Sequence, residues 1–160
     1  TTPCHYCKDY CLYKWKRVIS FSKILSSLKA YAPLKQILSP AQKLDAIKIT
    51  DQDKAGIVHK VALYYTPSNT TSKQTLTING NDVWISMKNC IRSQNFSITP
   101  QKHNVIFSGQ GFGHQIGLCQ RGARELVRRE WPYKQILSFY YPNTTLSRLT
   151  VTKKDTHANI

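Results

Sequence analysis

An α+β fold, with a mainly antiparallel sheet in the middle and helices at both ends, is what three features of this sequence predict. Apolar and polar residues alternate in short runs through the middle of the chain, as in half-buried strands. On either side the apolar residues recur at three- and four-residue intervals, as on one face of a helix. Turn-forming clusters such as "DQDKAG" and "NGN" separate the middle runs, which suits hairpins. Strands gathered in the middle and helices at the ends are the α+β pattern. The 160 residues suit a single domain with a core of its own.

Residues 1–18 are rich in cysteine and tyrosine and read as an irregular leading segment. A helix follows, capped by Ser20 or Ser22, with Phe21, Ile24, Leu25 and Leu28 on one face. Pro33 and Pro40 bracket a connection. In 44–50, Ile47 and Ile49 alternate with Lys48 and Thr50; with 57–65 this segment forms a predicted hairpin across "DQDKAG". "QTLTI" is a third strand, stopped by "NGN". Asp82 is then placed to cap a short helix carrying Val83, Trp84, Met87 and Ile91. "NFSIT" and "NVIFSG" read as two more strands. A helix over 115–130 would turn Ile116, Ala123, Leu126 and Val127 inward and Arg121, Arg124 and Arg128 outward. "PYKQILSFYYP" is a last helix, with Pro132 suited to its first turn, and "LSRLTVTK" is a candidate final strand.

The charge is lopsided: 23 Lys and Arg against 8 Asp and Glu, a formal +15. Such a field favours polyanions: nucleic acid, acidic membrane or an anionic wall polymer. The basic residues are dispersed, and no RRM, zinc-finger or helix-turn-helix signature accompanies them, so nucleic acid is not the expected partner. No run of about 18 apolar residues is present, so no transmembrane segment is predicted. Three of the five cysteines crowd the start as Cys4, Cys7 and Cys11, with His5 among them. A C-x2-C pair is half of a structural zinc site, and these three cysteines are the candidate ligands for zinc. Disulfide pairing in an exported chain and plain thiols are the competing readings.

The densest chemistry lies in "SGQGFGHQIGLCQRGARELVRREW". Five of the seven glycines stand between 109 and 122. The spacing Gly111, Gly113, Gly117 misses the dinucleotide fingerprint by one, and no parallel strand follows, so nucleotide binding is set aside. What remains is a strand ending near Gly109, a glycine turn, and a helix start near His114 whose free N–H groups could receive a hydroxyl, carbonyl or anion. His114 is a cap, a core hydrogen-bonder or a site residue. Gln120 is a satisfied core amide or part of a cleft floor. Taken alone, the glycines suit packing better than binding. Glycan chemistry would want a pair of carboxylates, but Glu125 and Glu130 read as surface ion-pair partners. Asp51 and Asp53 sit in a turn, so no shielded general acid stands out. A Cys119–His114 nucleophile pair has no orienting third group. The N-x-[ST] sequons at Asn69, Asn95 and Asn143 are chance matches outside a secreted eukaryotic protein.

Over "FSGQGFGHQIGLCQRGARELVRREWPYKQILSFYYPNTTL" the sequence resembles the closing signature of the SpoIID/LytB family of bacterial cell-wall proteins. Gly109, Gly111, Gly113, His114, Gly117, Gln120, Gly122 and Ala123 fall on it, followed by Tyr133, Ile136, Leu137, Tyr140, Tyr141 and Thr144. Gln115 stands where the signature usually has glycine, and Cys119 where it usually has serine. "YKWKRVISFSKI" and "IRSQNFSI" are similar to weaker family stretches, a tryptophan before a helix and an R-S before a strand. The resemblance implies action on peptidoglycan glycan strands in an exported, envelope-located protein. The action is that of a lytic transglycosylase or of an amidase enhancer, a cell-wall amidase being a possible partner in the second case. It implies substrate-binding roles for Gly111, Gly113, His114 and Gln120. The transglycosylase mechanism has a glutamate protonate the leaving oxygen while the muramyl 6-hydroxyl closes a 1,6-anhydro ring. The family carries that glutamate in an N-terminal E-x-P segment that these 160 residues lack. The expectation is therefore a domain incomplete on its N-terminal side, its catalytic residue unknown.

Overall fold

The structure, a computed structural model, describes Tyr6 and residues 13–148. The α+β class holds, with two three-stranded antiparallel sheets in place of one. Strand β1 (Lys14–Ser20) pairs with β6 (Asn104–Gln110), and β6 pairs with β5 (Phe96–Pro100). The second sheet is a meander of β2 (Ala41–Gln52), β3 (Val58–Pro67) and β4 (Gln74–Asn79). The sheets meet where Val58 N–H donates to the Gln94 carbonyl at 3.0 Å and Ile57 bridges Asn95. The Gln52 side-chain amide adds a bond to the Phe96 carbonyl at 3.1 Å.

Strand β1 corrects the irregular reading of 1–18. Only Trp15 and Ile19 are buried along it, and Arg17, on their face, is exposed. Arg17 on the buried face and the exposed Val18 on the opposite one break the period-two signal. The pairing with β6 is what makes this stretch a strand.

Helix α1 (Phe21–Ala30) follows at once, its first turn closed by Ser20, whose hydroxyl accepts the Lys23 N–H at 3.2 Å. Its buried face, Ile24, Leu25 and Leu28, is the one the periodicity marks. Each of those side chains contributes on the order of 2 kcal/mol by leaving water. A short helical turn, α2 (Ala32–Lys35), fills the connection to β2. Helix α3 (Gly80–Ser86) is capped three residues before the predicted cap. Asn79 holds the capping position, and Asp82 lies inside the first turn, where its charge suits the helix dipole. The main core gathers α1, α3 and both sheets, with the Phe96 and Phe107 rings 5.7 Å apart at its centre.

Two helices complete the described chain: α4 (Gln120–Arg128) and α5 (Tyr133–Tyr140). They bury Leu126 and Ile136, neither of which belongs to the main core. Beside them Trp131 and Phe139 pack edge-to-face with Tyr6. Helix α4 starts at Gln120, not at 115. Positive φ at Gly113, Gln115 and Gly117 prevents a helix there, and Ile116 (64% exposed) and Val127 (61%) face water. Of the predicted inward stripe, Leu126 alone is fully buried. Residues 146–148 are not in a strand, and the rest of "LSRLTVTK" lies outside the described residues.

Candidate functional site

The glycine segment leaves β6 and runs as a loop over 111–119 before α4 begins. Its support is built first. Gly109 is wedged in the sheet: a Cβ there would stand 2.3 Å from the Asn95 carbonyl oxygen and 2.3 Å from Trp15 Cζ2. Ser93, fully buried, joins the same place from the side. Its hydroxyl accepts the Trp15 indole N–H at 3.3 Å and faces the Gln110 carbonyl at 2.6 Å. The tryptophan and the R-S pair, far apart in sequence, therefore meet beneath the start of the loop. Gln94, also buried, bonds its amide to the Asn81 side chain and its backbone to Val58.

The loop is then pinned along its length. Gly111 N–H donates to the Tyr13 carbonyl at 2.6 Å, and Gly113 N–H to the Arg92 carbonyl at 2.8 Å. The Gly113 carbonyl in turn accepts from Gln94 N–H at 3.2 Å. Further on, Ile116 N–H donates to His114 Nδ1 at 2.9 Å, and Leu118 N–H to the Tyr141 hydroxyl at 3.2 Å. Cys119 closes the start of α4, its sulfur accepting Gly122 N–H at 3.4 Å. The expectation of free N–H groups waiting for a ligand at a helix start near His114 is thus overturned. The helix begins later, and the amides of Gly111, Gly113, Ile116 and Leu118 are spent holding the loop in place.

What the loop offers is side chains. Phe112 is 77% exposed, and His114, Gln115 and Gln120 are exposed too. Because Nδ1 of His114 accepts a hydrogen bond, the neutral ring carries its proton on Nε2, as an outward donor. Gln120 is the first residue of α4 and, being exposed, is not a core amide. Gly111 and Gly113 are half-buried, at φ +73° and +86°. The four predicted substrate-binding residues therefore share one loop and the helix start that ends it. Two shape the backbone and two face solvent. Gln115 also has positive φ, +64°, which gives a physical reason for the signature's usual glycine at that position.

Neither glutamate is placed as a shielded acid. Glu125 is held by Arg129 at 3.3 Å and Arg128 at 3.9 Å, and Glu130 is exposed. Two carboxyls are held below their ordinary value, Asp45 on β2 and Asp53 in the turn between β2 and β3. The Thr66 hydroxyl lowers Asp45, and the Ile57 backbone N–H lowers Asp53. Among the described residues no three His, Cys, Asp or Glu side chains converge on a metal site. The zinc candidates Cys4, Cys7 and Cys11 lie outside the described residues. Cys90 and Cys119 are both half-buried. No helix among the described residues is long and apolar enough to cross a membrane.

Sequence reasoning missed Ser93 and the hydroxyl of Tyr141 as supports. The weaker R-S stretch, and Tyr140, Tyr141 and Thr144 of the closing signature, were their signals. Thr144 completes the second, its hydroxyl donating to the Tyr141 carbonyl at 2.7 Å.

Fold and site together define an α+β domain that presents a tethered, glycine-shaped loop at the junction of a sheet and a helical pair. A family model described as a domain of unknown function (DUF8618) matches residues 6–117, and the chain belongs to that family. The match covers both sheets and runs into the loop as far as Gly117. The chain is 50% identical over 56 residues to a Bacillus subtilis protein named amidase enhancer, which is 35% of this chain and 8% of that protein. It is 41% identical over 51 residues to an uncharacterized protein of Brachyspira hyodysenteriae, covering 32% of this chain and 14% of the relative. The aligned stretches are thus a small part of either relative's length.

Proposed function

We propose that this chain is a peptidoglycan-binding part of a SpoIID/LytB-type domain in an exported bacterial envelope protein, with the 111–120 segment as one wall of a glycan cleft. The observation that carries this reading is a division of labour within the motif. Gly109, Gly113, Tyr141 and Thr144 each have a packing or hydrogen-bonding task that builds the loop. Gln120 is exposed with no such task, and His114, although its Nδ1 holds the Ile116 N–H, leaves the rest of its exposed ring to solvent. Polar groups presented on a rigid backbone are what sugar recognition needs, since binding then costs little ordering of the site. The partial likeness to the amidase enhancer supports the same wall-related role.

For the intact protein we propose lytic transglycosylase activity, with the acid supplied by a glutamate from outside these 160 residues. Neither glutamate of the chain suits the task, one being bound by two arginines and the other open to solvent. The test has two arms. Purified wall sacculi should retain the 160-residue chain, and His114→Ala with Gln120→Ala should weaken that retention roughly tenfold, about 1.4 kcal/mol. His114→Ala, which loses a loop bond, and Gln120→Ala, which loses none, should both leave the chain folded by circular dichroism. Retention indifferent to both substitutions refutes the cleft. Glycan strands incubated with the chain alone should yield no anhydro-muramyl ends, and with the full-length protein they should. The relative's name favours one second reading, a non-catalytic amidase-enhancing module. That module would speed a cell-wall amidase and produce no anhydro ends at any length.

A further inference from the structure

Beside the loop, α5 and the 141–148 segment enclose an open hollow of about 870 Å³ that none of the motif's loop residues lines. We propose that it is a second subsite, taking an amino-sugar chain that bears carboxylates; this rests on the glycan reading of the neighbouring loop. Tyr133 (62% exposed) and Tyr141 (42%) stand in its wall with their rings in water. Exposed rings grouped at a concave surface mark a binding site more often than a plain exterior. An aromatic face matches the C–H face of a pyranose, and the hydroxyls of Ser138 and Thr144 in the same wall match its hydroxyl and acetamido groups. Lys134 and Arg148 complete the wall, which contains no carboxylate. Neither makes an ion pair with the described residues. Two cations at one concavity, without a carboxylate partner among the described residues, favour an anionic occupant.

Continuity with the loop selects a glycan over other anions. Tyr141 serves both places: its hydroxyl accepts the Leu118 N–H of the loop at 3.2 Å while the residue walls the hollow. A chain lying on Phe112 and His114 would thus have a next stop at Tyr141, with its carboxylates facing Lys134 and Arg148.

Binding of three soluble probes to the 160-residue chain tests this, read by calorimetry at fixed low salt. The probes are an N-acetylglucosamine hexamer without charge, a glycan strand of equal length with one lactyl carboxylate per disaccharide, and an oligonucleotide of similar charge. The carboxylated strand should bind about tenfold tighter than the neutral hexamer. Lys134→Gln with Arg148→Gln should reduce that preference to twofold or less and leave the hexamer's affinity intact. Lys60→Gln with Lys88→Gln, which removes the same charge from exposed positions elsewhere, should leave the preference unchanged. Tyr133→Ala should weaken both sugars. A wild-type chain that binds both sugars equally, or a Lys134/Arg148 double variant that keeps the preference, overturns the subsite and leaves the loop reading standing. Binding of neither sugar overturns both. Tighter binding of the oligonucleotide than of the carboxylated strand, lost in the Lys134/Arg148 variant, overturns the choice of occupant.

Discussion

Two glycines of the motif do different physical work, and alanine separates them. At Gly109 the added methyl would meet a backbone oxygen and the Trp15 ring, both at 2.3 Å, and neither can step aside without opening the sheet. Gly109→Ala should therefore cost about 3 kcal/mol or more in urea unfolding, at the upper end of overpacking penalties. At Gly113 nothing lies within 4 Å of the added carbon, and φ of +86° is the only objection. Gly113→Ala should cost about 1–2 kcal/mol. Equal losses at the two sites would contradict the packing described here. Gln115 is the converse case, a side chain in the left-handed region. Gln115→Gly should raise stability by about 1 kcal/mol, measured in the same unfolding series.

At the scale of elements, two contacts carry consequences. Asp45 on β2 accepts the Thr66 hydroxyl of β3 at 2.7 Å and faces Lys43 Nζ at 3.1 Å. These contacts hold its pKa below the ordinary 3.8, the Thr66 bond most of all. A carboxyl with a lowered folded pKa adds stability that is complete above its unfolded value and is lost as pH falls through the folded one. Thr66→Val should thus cost about 1 kcal/mol at pH 7. The gap from wild type should begin to close near pH 3.8 and be gone below the folded value. A gap that persists in stronger acid would remove Asp45 as its source. The second contact ties α5 to the loop: Tyr141→Phe should speed hydrogen exchange at the Leu118 amide, and slow exchange there in the variant would show that another group holds it. These cases also show what the sequence could reveal about elements. Helix α1 was legible because Ser20 and the Ile24, Leu25, Leu28 face are local signals. Strand β1 was not, because Arg17 and Val18 interrupt its alternation and only β6, ninety residues on, makes it a strand. The start of α4 was misplaced because Ile116 mimics helical spacing while the backbone around it turns left-handed. The glycines and His114 were visible as a cluster. Their amides' destinations were not, because Tyr13, Arg92 and Tyr141 are brought near only by the fold.

Over the whole molecule, 23 basic residues against 8 acidic ones leave +15 that internal ion pairs cannot neutralise. Such a charge draws polyanions in and has little bearing on which fold forms. The proposed cleft, by contrast, works at contact distance through His114, Gln120 and exposed rings. Salt separates the two contributions, since the screening length falls from about 10 Å at 0.1 M to about 3 Å at 1 M. Retention by whole anionic wall material should drop at least tenfold across that range, because long-range attraction supplies most of it. Binding of an uncharged N-acetylglucosamine hexamer should change by less than twofold, and it should still be weakened by His114→Ala. If the hexamer proved as salt-sensitive as the wall, contact recognition at the loop would be the wrong account, and the charge alone would explain the binding. If the wall proved salt-insensitive, the basic surface would have no part in finding it, and the loop would have to supply the full affinity by itself.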